Sequence, residues 1–231
     1  MKLRWDSRIA AEVVLVFIGI LAAFWLDSWW DERAQREREV AILKGVQAEF
    51  NSAIEEIERL IAEHERARTA FIELHRLLQT GEGVNQPERV IELSHSLWTA
   101  HAYEAMMPAY RSLIDSAGLD FIRNEEFRQA LTAYEIAVSR NRGWDRFLIA
   151  FDQDLGLSLL MPRLPYYISQ FEGAELSAEL TPDIAELAND MALRNLIAVR
   201  YSGEDRLLVW RRELLEAARE VQRTISIELG E

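Results

Sequence analysis

Ile9-Ala10-Ala11-Glu12-Val13-Val14-Leu15-Val16-Phe17-Ile18-Gly19-Ile20-Leu21-Ala22-Ala23-Phe24-Trp25-Leu26 leads without a breaker into Asp27-Ser28-Trp29-Trp30-Asp31-Glu32-Arg33. Glu12 is the one charge in the apolar part of this stretch. At about 1.5 Å per residue, that part is just long enough to cross a hydrocarbon core of roughly 30 Å as a helix. A helix buried in a soluble core carries a polar stripe on some face, and residues 13–26 carry none. A cleaved signal peptide has a shorter apolar region that ends in a small-x-small site, whereas Ala22 and Ala23 lie inside the run. Trp5 before it and Trp25, Trp29 and Trp30 at its far edge suit the two interfacial aromatic belts. The stretch therefore predicts a short N-terminus over residues 1–8, a transmembrane anchor over 9–30 and a helical domain over 31–231.

Two residues of the anchor have paired readings. Glu12 follows Arg8 by four positions, so on a helix the two share a face and can pair near the headgroups. Alternatively Glu12 faces another helix, in an oligomer or a partner, where an intramembrane carboxylate is functional. Gly19 is either a tolerated membrane glycine or a point of close helix approach. Lys2, Arg4 and Arg8 precede the run, while Arg33, Arg36 and Arg38 follow it among many acids. The short basic start has the shape of a signal anchor, which puts the N-terminus in the cytoplasm and the large domain outside, in a bacterium the periplasm.

The 231 residues minus the anchor are enough for one domain with a sizeable core. A formal net charge of −13 argues against nucleic acid and against a broad cationic grip on anionic lipid. With no cysteine there are no disulfides, thiolate nucleophiles or cysteine zinc sites. Five prolines, ten glycines and no low-complexity tract leave little room for a flexible linker.

Residues 31–79 contain no proline and carry apolar side chains at Val40, Leu43, Val46, Phe50, Ile54, Ile57, Ile61, Phe71, Leu74 and Leu78. Those spacings are one helical stripe, and a helix continuous with the anchor forms a stalk of the order of 70 Å. Its first turns, residues 31–39, are charged all round and read as a solvated face. Thr80-Gly81-Glu82-Gly83 stops it and Pro87 opens a second helix, expected over 87–106. Pro108 opens a third, over 108–117, with Gly118 as its left-handed end. Asn124 caps a fourth, over 124–161, with Gly143 and Gly156 as bends and Pro162 and Pro165 beyond it. Thr181-Pro182-Asp183 reads as a cap, a first-position proline and a first-turn acid, opening a final helix or helix pair over 182–229 that breaks near Ser202-Gly203. Leu207, Leu214 and Val221 repeat at heptad spacing and form a candidate oligomer face. The expected architecture is all-α: a transmembrane helix continuing into a long stalk helix, packed with further helices as an elongated bundle.

Three stretches carry a resemblance: Glu12-Val13-Val14-Leu15-Val16-Phe17-Ile18-Gly19-Ile20-Leu21-Ala22-Ala23, Trp29-Trp30-Asp31-Glu32-Arg33, and Pro108-Ala109-Tyr110-Arg111-Ser112-Leu113-Ile114-Asp115-Ser116-Ala117-Gly118-Leu119-Asp120-Phe121-Ile122. The chain resembles a family of bacterial single-pass membrane proteins with a Glu-Ile…Ile-Gly-Ile span, then Asn-x-Trp-Asn-Glu, then Tyr-x-x-Leu…Gly-x-Leu…Ile. Asp27-Ser28-Trp29-Trp30-Asp31 departs from the asparagine-rich form. The resemblance implies a single-pass protein of the bacterial inner membrane with a helical domain, and it brings no activity with it.

No constellation in the sequence points to catalysis. Glu92-x-x-His95 has the spacing of one half of a di-iron carboxylate site, but no second such pair occurs. His101 with Glu104 has that geometry reversed, and His64 and His75 lie eleven apart, too far for one metal and suggestive of the bundle boundary. No Gly-x-Ser-x-Gly, phosphate-binding loop or His-Glu-x-x-His is present. No cofactor, metal or catalytic residue is expected. The sequence favours a membrane-tethered interaction or scaffold protein, whose partners are the lipid bilayer and either further copies or another membrane protein. The alternative is a ligand-sensing bundle with a pocket near Tyr103, Tyr110, Tyr134, Trp144, Tyr166 and Tyr167. Because about eight residues precede the anchor, such a sensor would need a separate signalling partner.

Overall fold

The computed structural model describes residues 7–98, 102–104, 106–117, 124–151, 154, 157–165 and 181–230, with side chains from residue 15 onward. Among the described residues the chain is all-α. Helix α1, Ser7–Thr80, runs unbroken for 74 residues, about 110 Å. No proline interrupts it, and Gly45 leaves the helix intact. A Cβ at Gly45 would stand 3.5 Å from the Ala109 Cβ, so the glycine marks where a neighbouring helix comes close. Gly81 ends α1 with φ +76°, a left-handed conformation that glycine adopts without a Cβ clash.

A 3-10 turn, Glu82–Asn85, leads to α2, Pro87–Ser94, and later elements are α3, Pro108–Ala117; α4, Glu125–Phe151; α5, Leu157–Leu160; α6, Ile184–Asn189; and α7, Met191–Leu229. Helix α7 is the centre of the bundle, packed on both α1 and α4. Its cross-links fix the directions. Gln47 donates to Ser226, Arg212 to Glu65 and Arg68 to Asp205, so residue numbers on α1 rise as those on α7 fall. Arg140 with Glu213 and Asn124 with Glu228 set the same antiparallel relation between α4 and α7.

Two apolar clusters fill the bundle. One joins Val46, Phe50 and Ile57 of α1 to Phe127, Leu131 and Tyr134 of α4 and to Leu214, Val221 and Ile225 of α7. The other joins Phe71, Leu74 and Leu77 of α1 to Val90 and Leu93 of α2 and to Leu193, Leu196 and Ile197 of α7. Each fully buried Leu, Ile or Phe side chain contributes about 1.5–3 kcal/mol relative to exposure.

Several expectations are corrected. The helix expected over 87–106 ends at Ser94, whose hydroxyl donates to the Ile91 carbonyl at 2.6 Å, and the chain tightens into a 3-10 turn, His95–Leu97. Asn124 does cap α4, accepting from the Phe127 N–H at 3.2 Å, and α4 passes Gly143 without interruption to Phe151, beyond which residues 152–153 and 155–156 lie outside the described residues. Thr181 is not the final cap. Asp183 accepts from the N–H groups of Ala185 and Glu186, α6 follows for six residues, and Asp190 then caps α7 through Ala192 and Leu193. No break occurs at Ser202-Gly203. Gly203 lies inside α7, where an added Cβ would stand 3.3 Å from Leu148 Cδ2, so it lets α4 approach. Leu207, Leu214 and Val221 are buried inside the chain against α1 and α4, so the near-heptad face is an intramolecular seam rather than an oligomer face.

The charged turns over residues 31–39 are solvated, as expected, and the rest of the stalk helix packs with the other helices. Residues 27–42 are exposed all round, but from Leu43 onward α1 belongs to the bundle. Among the described residues no helix is long and apolar enough to cross a membrane. The apolar run with described side chains covers residues 15–26, about 18 Å of rise. Residues 9–14 of the expected anchor, with Arg8 and Glu12, lie outside the described side chains.

Candidate functional site

Three features stand out once the helices are in place. The first is the part of α1 that precedes the bundle. Leu15, Phe17, Ile18, Leu21, Phe24 and Trp25 are all exposed, between 54% and 73%, and no other part of the described chain packs on them. Trp29 and Trp30 follow at 42% and 58% exposure, in edge contact with ring centroids 5.2 Å apart, and the Arg33 guanidinium lies 5.8 Å from the Trp29 ring. Gly19 lies in this collar, where an added Cβ would meet nothing within 4 Å among the described residues. A collar of this kind is an exposed apolar patch of unusual extent for a helix in water.

The second feature, not foreseen from the sequence, is a layer of buried polar side chains between the two apolar clusters. His64 Nδ1 lies 2.5 Å from Glu204 Oε2, and Arg200 Nη2 lies 3.5 Å from the other carboxylate oxygen. His64 is therefore an interior residue, not the boundary residue that its spacing suggested, whereas His75 is exposed. A turn or two further along α7, Arg211 donates to Asp145 Oδ1 at 2.7 Å and to Asn141 Oδ1 at 2.8 Å. Asp145 Oδ2 accepts the Tyr103 N–H at 3.1 Å, which ties the irregular segment over residues 102–104 to the layer. Between the two halves lies a cavity of about 10 Å³ lined by His64, Asp145 and Glu204. A space of that size takes at most one water. Their chemistry is structural: each buried charge faces an opposite one, as burial demands. The signal for them was in the sequence, since His64, Arg200, Glu204 and Arg211 sit on the apolar stripes of their helices.

The third feature brings together part of the expected aromatic set. The Tyr103 and Tyr134 hydroxyls share a hydrogen bond of 2.7 Å, the Tyr134 hydroxyl also contacts the Met107 sulfur at 3.2 Å, and Tyr110 donates to Glu135 at 2.6 Å. Burial, the largest cause in each case, pushes all three phenols above their ordinary range, so they stay neutral. Glu49 of α1 accepts the Ala109 and Tyr110 N–H groups at 2.7 and 2.9 Å, which seats α3 beside them. A cleft of about 310 Å³ opens over these tyrosines. Trp144 is not part of it. That ring packs on Trp210 and Phe147 on the other side of α4, and Tyr166 and Tyr167 lie outside the described residues.

The remaining sequence candidates stay apart. Glu92 pairs with Arg89, and the half-buried His95 imidazole is pushed below its ordinary value by burial. His101 lies outside the described residues. Among the described residues no group of three His, Cys, Asp or Glu side chains has metal-binding geometry. The chain matches no protein-family profile, no curated protein and no solved structure.

Proposed function

We propose that this chain is a membrane-anchored helical interaction protein, working as a self-associating scaffold or as a subunit of a membrane complex. The observation that carries the reading is the collar of exposed apolar side chains from Leu15 to Trp30, continuous by one helix with the bundle. Together with residues 9–14 of the sequence it makes a run of membrane-spanning length, closed by a tryptophan belt and by Arg33, Arg36 and Arg38. The resemblance to bacterial single-pass proteins supports the inner membrane, with a cytoplasmic N-terminus and a periplasmic bundle. Because the seam through Leu207, Leu214 and Val221 is internal, association falls to the collar and to the free turns carrying Val40 and Ile42, both exposed.

The test is to wash native membranes at alkaline pH, extract the intact chain in mild detergent and measure the mass of the complex. Retention in the membrane and a mass of two or more chains, or of a defined hetero-complex, is expected. Release by the wash would overturn the anchor, and a bare monomer would overturn the scaffold.

A further inference from the structure

The outer face of α4 carries an uncharged stripe that the bundle does not use. Thr132, Ile136, Ser139, Gly143, Phe147 and Ala150 recur every three or four positions, so they share one side of the helix, and all six are exposed. Ile136 is 57% exposed, and Phe147 keeps 48% of its surface open although the Trp144 and Phe151 rings stand beside it. The stripe runs for about 27 Å, or five turns.

Gly143 has no account within the chain. A glycine inside an exposed helix costs stability relative to alanine. The other described glycines of the bundle each have a local reason: Ala109 comes close at Gly45, Val90 and Ile184 at Gly83 and Leu148 at Gly203, while Gly81 and Gly230 hold a positive φ. A Cβ at Gly143 would meet nothing within 4 Å among the described residues. The glycine therefore leaves an open notch between Ile136 and Phe147, of the kind that elsewhere in this chain admits a neighbouring helix.

The charges beside the notch choose the occupant. Arg140 and Arg146 stand three positions before and after Gly143, about 60° to either side of it, so an arginine borders the stripe on each edge. Arg140 reaches Glu213 of α7, and Arg146 Nε donates to the Arg142 carbonyl of its own helix. A second helix laid along the stripe sets its flanking positions against these arginines, as e and g positions meet in a coiled coil. A second copy of this chain fits badly. Helix α4 is antiparallel to α7 and α7 to α1, so α4 runs parallel to α1. Copies anchored in one membrane would bring α4 against α4 in parallel, arginine edge against arginine edge.

We propose that this stripe docks an amphipathic helix of another protein, about five turns long, with small or apolar residues along its seam and aspartate or glutamate on its flanks. The choice of another protein over a second copy rests on the anchor proposed above, and it makes the chain a subunit of a hetero-complex.

In the experiment a photoactivatable benzophenone amino acid is placed at Ile136, at Phe147 and, as a control, at the exposed Ala198 of α7, each in the full chain in native membranes, and crosslinked peptides are identified by mass spectrometry. Ile136 and Phe147 should crosslink to one segment of a single partner protein, apolar at spacings of three and four with acids on its flanks, and Ala198 should not reach that segment. Arg146→Glu and Gly143→Leu should each lower the yield about tenfold or more, the first by like-charge repulsion and the second by filling the notch. Both positions are exposed, so neither variant lowers the unfolding midpoint. Crosslinks to a second copy, equal yields from Ala198, none from Ile136 and Phe147, or an unchanged yield in either variant would overturn the proposal. Release of the chain by the alkaline wash fails the anchor and not this contact, which keeps the two failures apart.

Discussion

Replacing Asp145 by leucine should be among the most damaging single changes in the bundle, and the damage should be repaired by a second change across the helix interface. Asp145 is 6% exposed and Arg211 is fully buried, joined at 2.7 Å. Asp145→Leu takes the carboxylate from a guanidinium that cannot reach water and removes the acceptor of the Tyr103 N–H. Breaking one side of a buried ion pair costs about 3–5 kcal/mol. For a chain of this size, at about 2–4 °C per kcal/mol, that is a fall of roughly 6–20 °C in the unfolding midpoint. Arg211→Met alone leaves a buried carboxylate and should cost about as much. In the double variant neither charge remains. The residual loss is the Tyr103 N–H and the Asn141 oxygen, about 1–3 kcal/mol, so the double variant should be more stable than Asp145→Leu. The assay is thermal unfolding of the detergent-solubilised chain followed by helical circular dichroism, run as a complete double-mutant cycle. A coupling energy of at least about 2 kcal/mol is expected, and additivity within about 0.5 kcal/mol would refute the buried-pair argument.

Two further outcomes follow from the packing and the caps. A Cβ at Gly83 would meet Val90 Cγ2 at 3.0 Å, Ile184 Cγ2 at 3.2 Å and the Leu77 carbonyl oxygen at 3.3 Å, so Gly83→Ala should destabilise by about 1–3 kcal/mol in a denaturant titration, and a gain in stability would contradict that close contact. Asp190 caps α7 and pairs with Arg163, which holds its carboxyl below the ordinary aspartate value. Its stabilisation is therefore complete above that ordinary value and is lost as the pH falls through the lowered one. Asp190→Ala should cost about 1 kcal/mol at neutral pH, whereas Asp190→Asn keeps the cap and removes this part of the acid dependence; an unchanged acid limb in Asp190→Asn would exclude the pair as its source.

What the sequence made legible was local or periodic. The stripe through Val46, Phe50, Ile57, Phe71 and Leu74, the stop at Gly81, the cap at Asn124 and the opening at Pro108 are each decided within a few residues, and each appears where the pattern put it. What it hid depended on partners far along the chain. His64 meets Glu204 across 140 positions and Arg211 meets Asp145 across 66, so no local pattern pairs them. The heptad-like series on α7 misled for the same reason: periodicity shows that a face is buried, not whether its partner is another chain. Gly203 looked like a break because a glycine inside a helix is usually a weak point, and the reason for it, Leu148 of α4, lies 55 positions away.

The buried polar layer also bears on how the collar is held. Apolar seams tolerate sliding, since a shift of one turn, about 5.4 Å, replaces one leucine contact by another. In the antiparallel pair α1 and α7, such a shift would set Glu204 against Leu60 or Ala67 in place of His64, burying a carboxylate without its partner. Asp145 and Arg211 impose the same condition between α4 and α7. The layer thus fixes the register of all three long helices, while the apolar clusters supply the stability. Because α1 is one uninterrupted helix, a fixed register in the bundle fixes the height and rotation of Trp29, Trp30 and the collar beyond them. Segment 102–104, tied to the layer through Tyr103 and Asp145, contributes the same tyrosine to the lining of the cleft. The cleft and the collar are therefore positioned by one set of buried charges, reached from opposite sides.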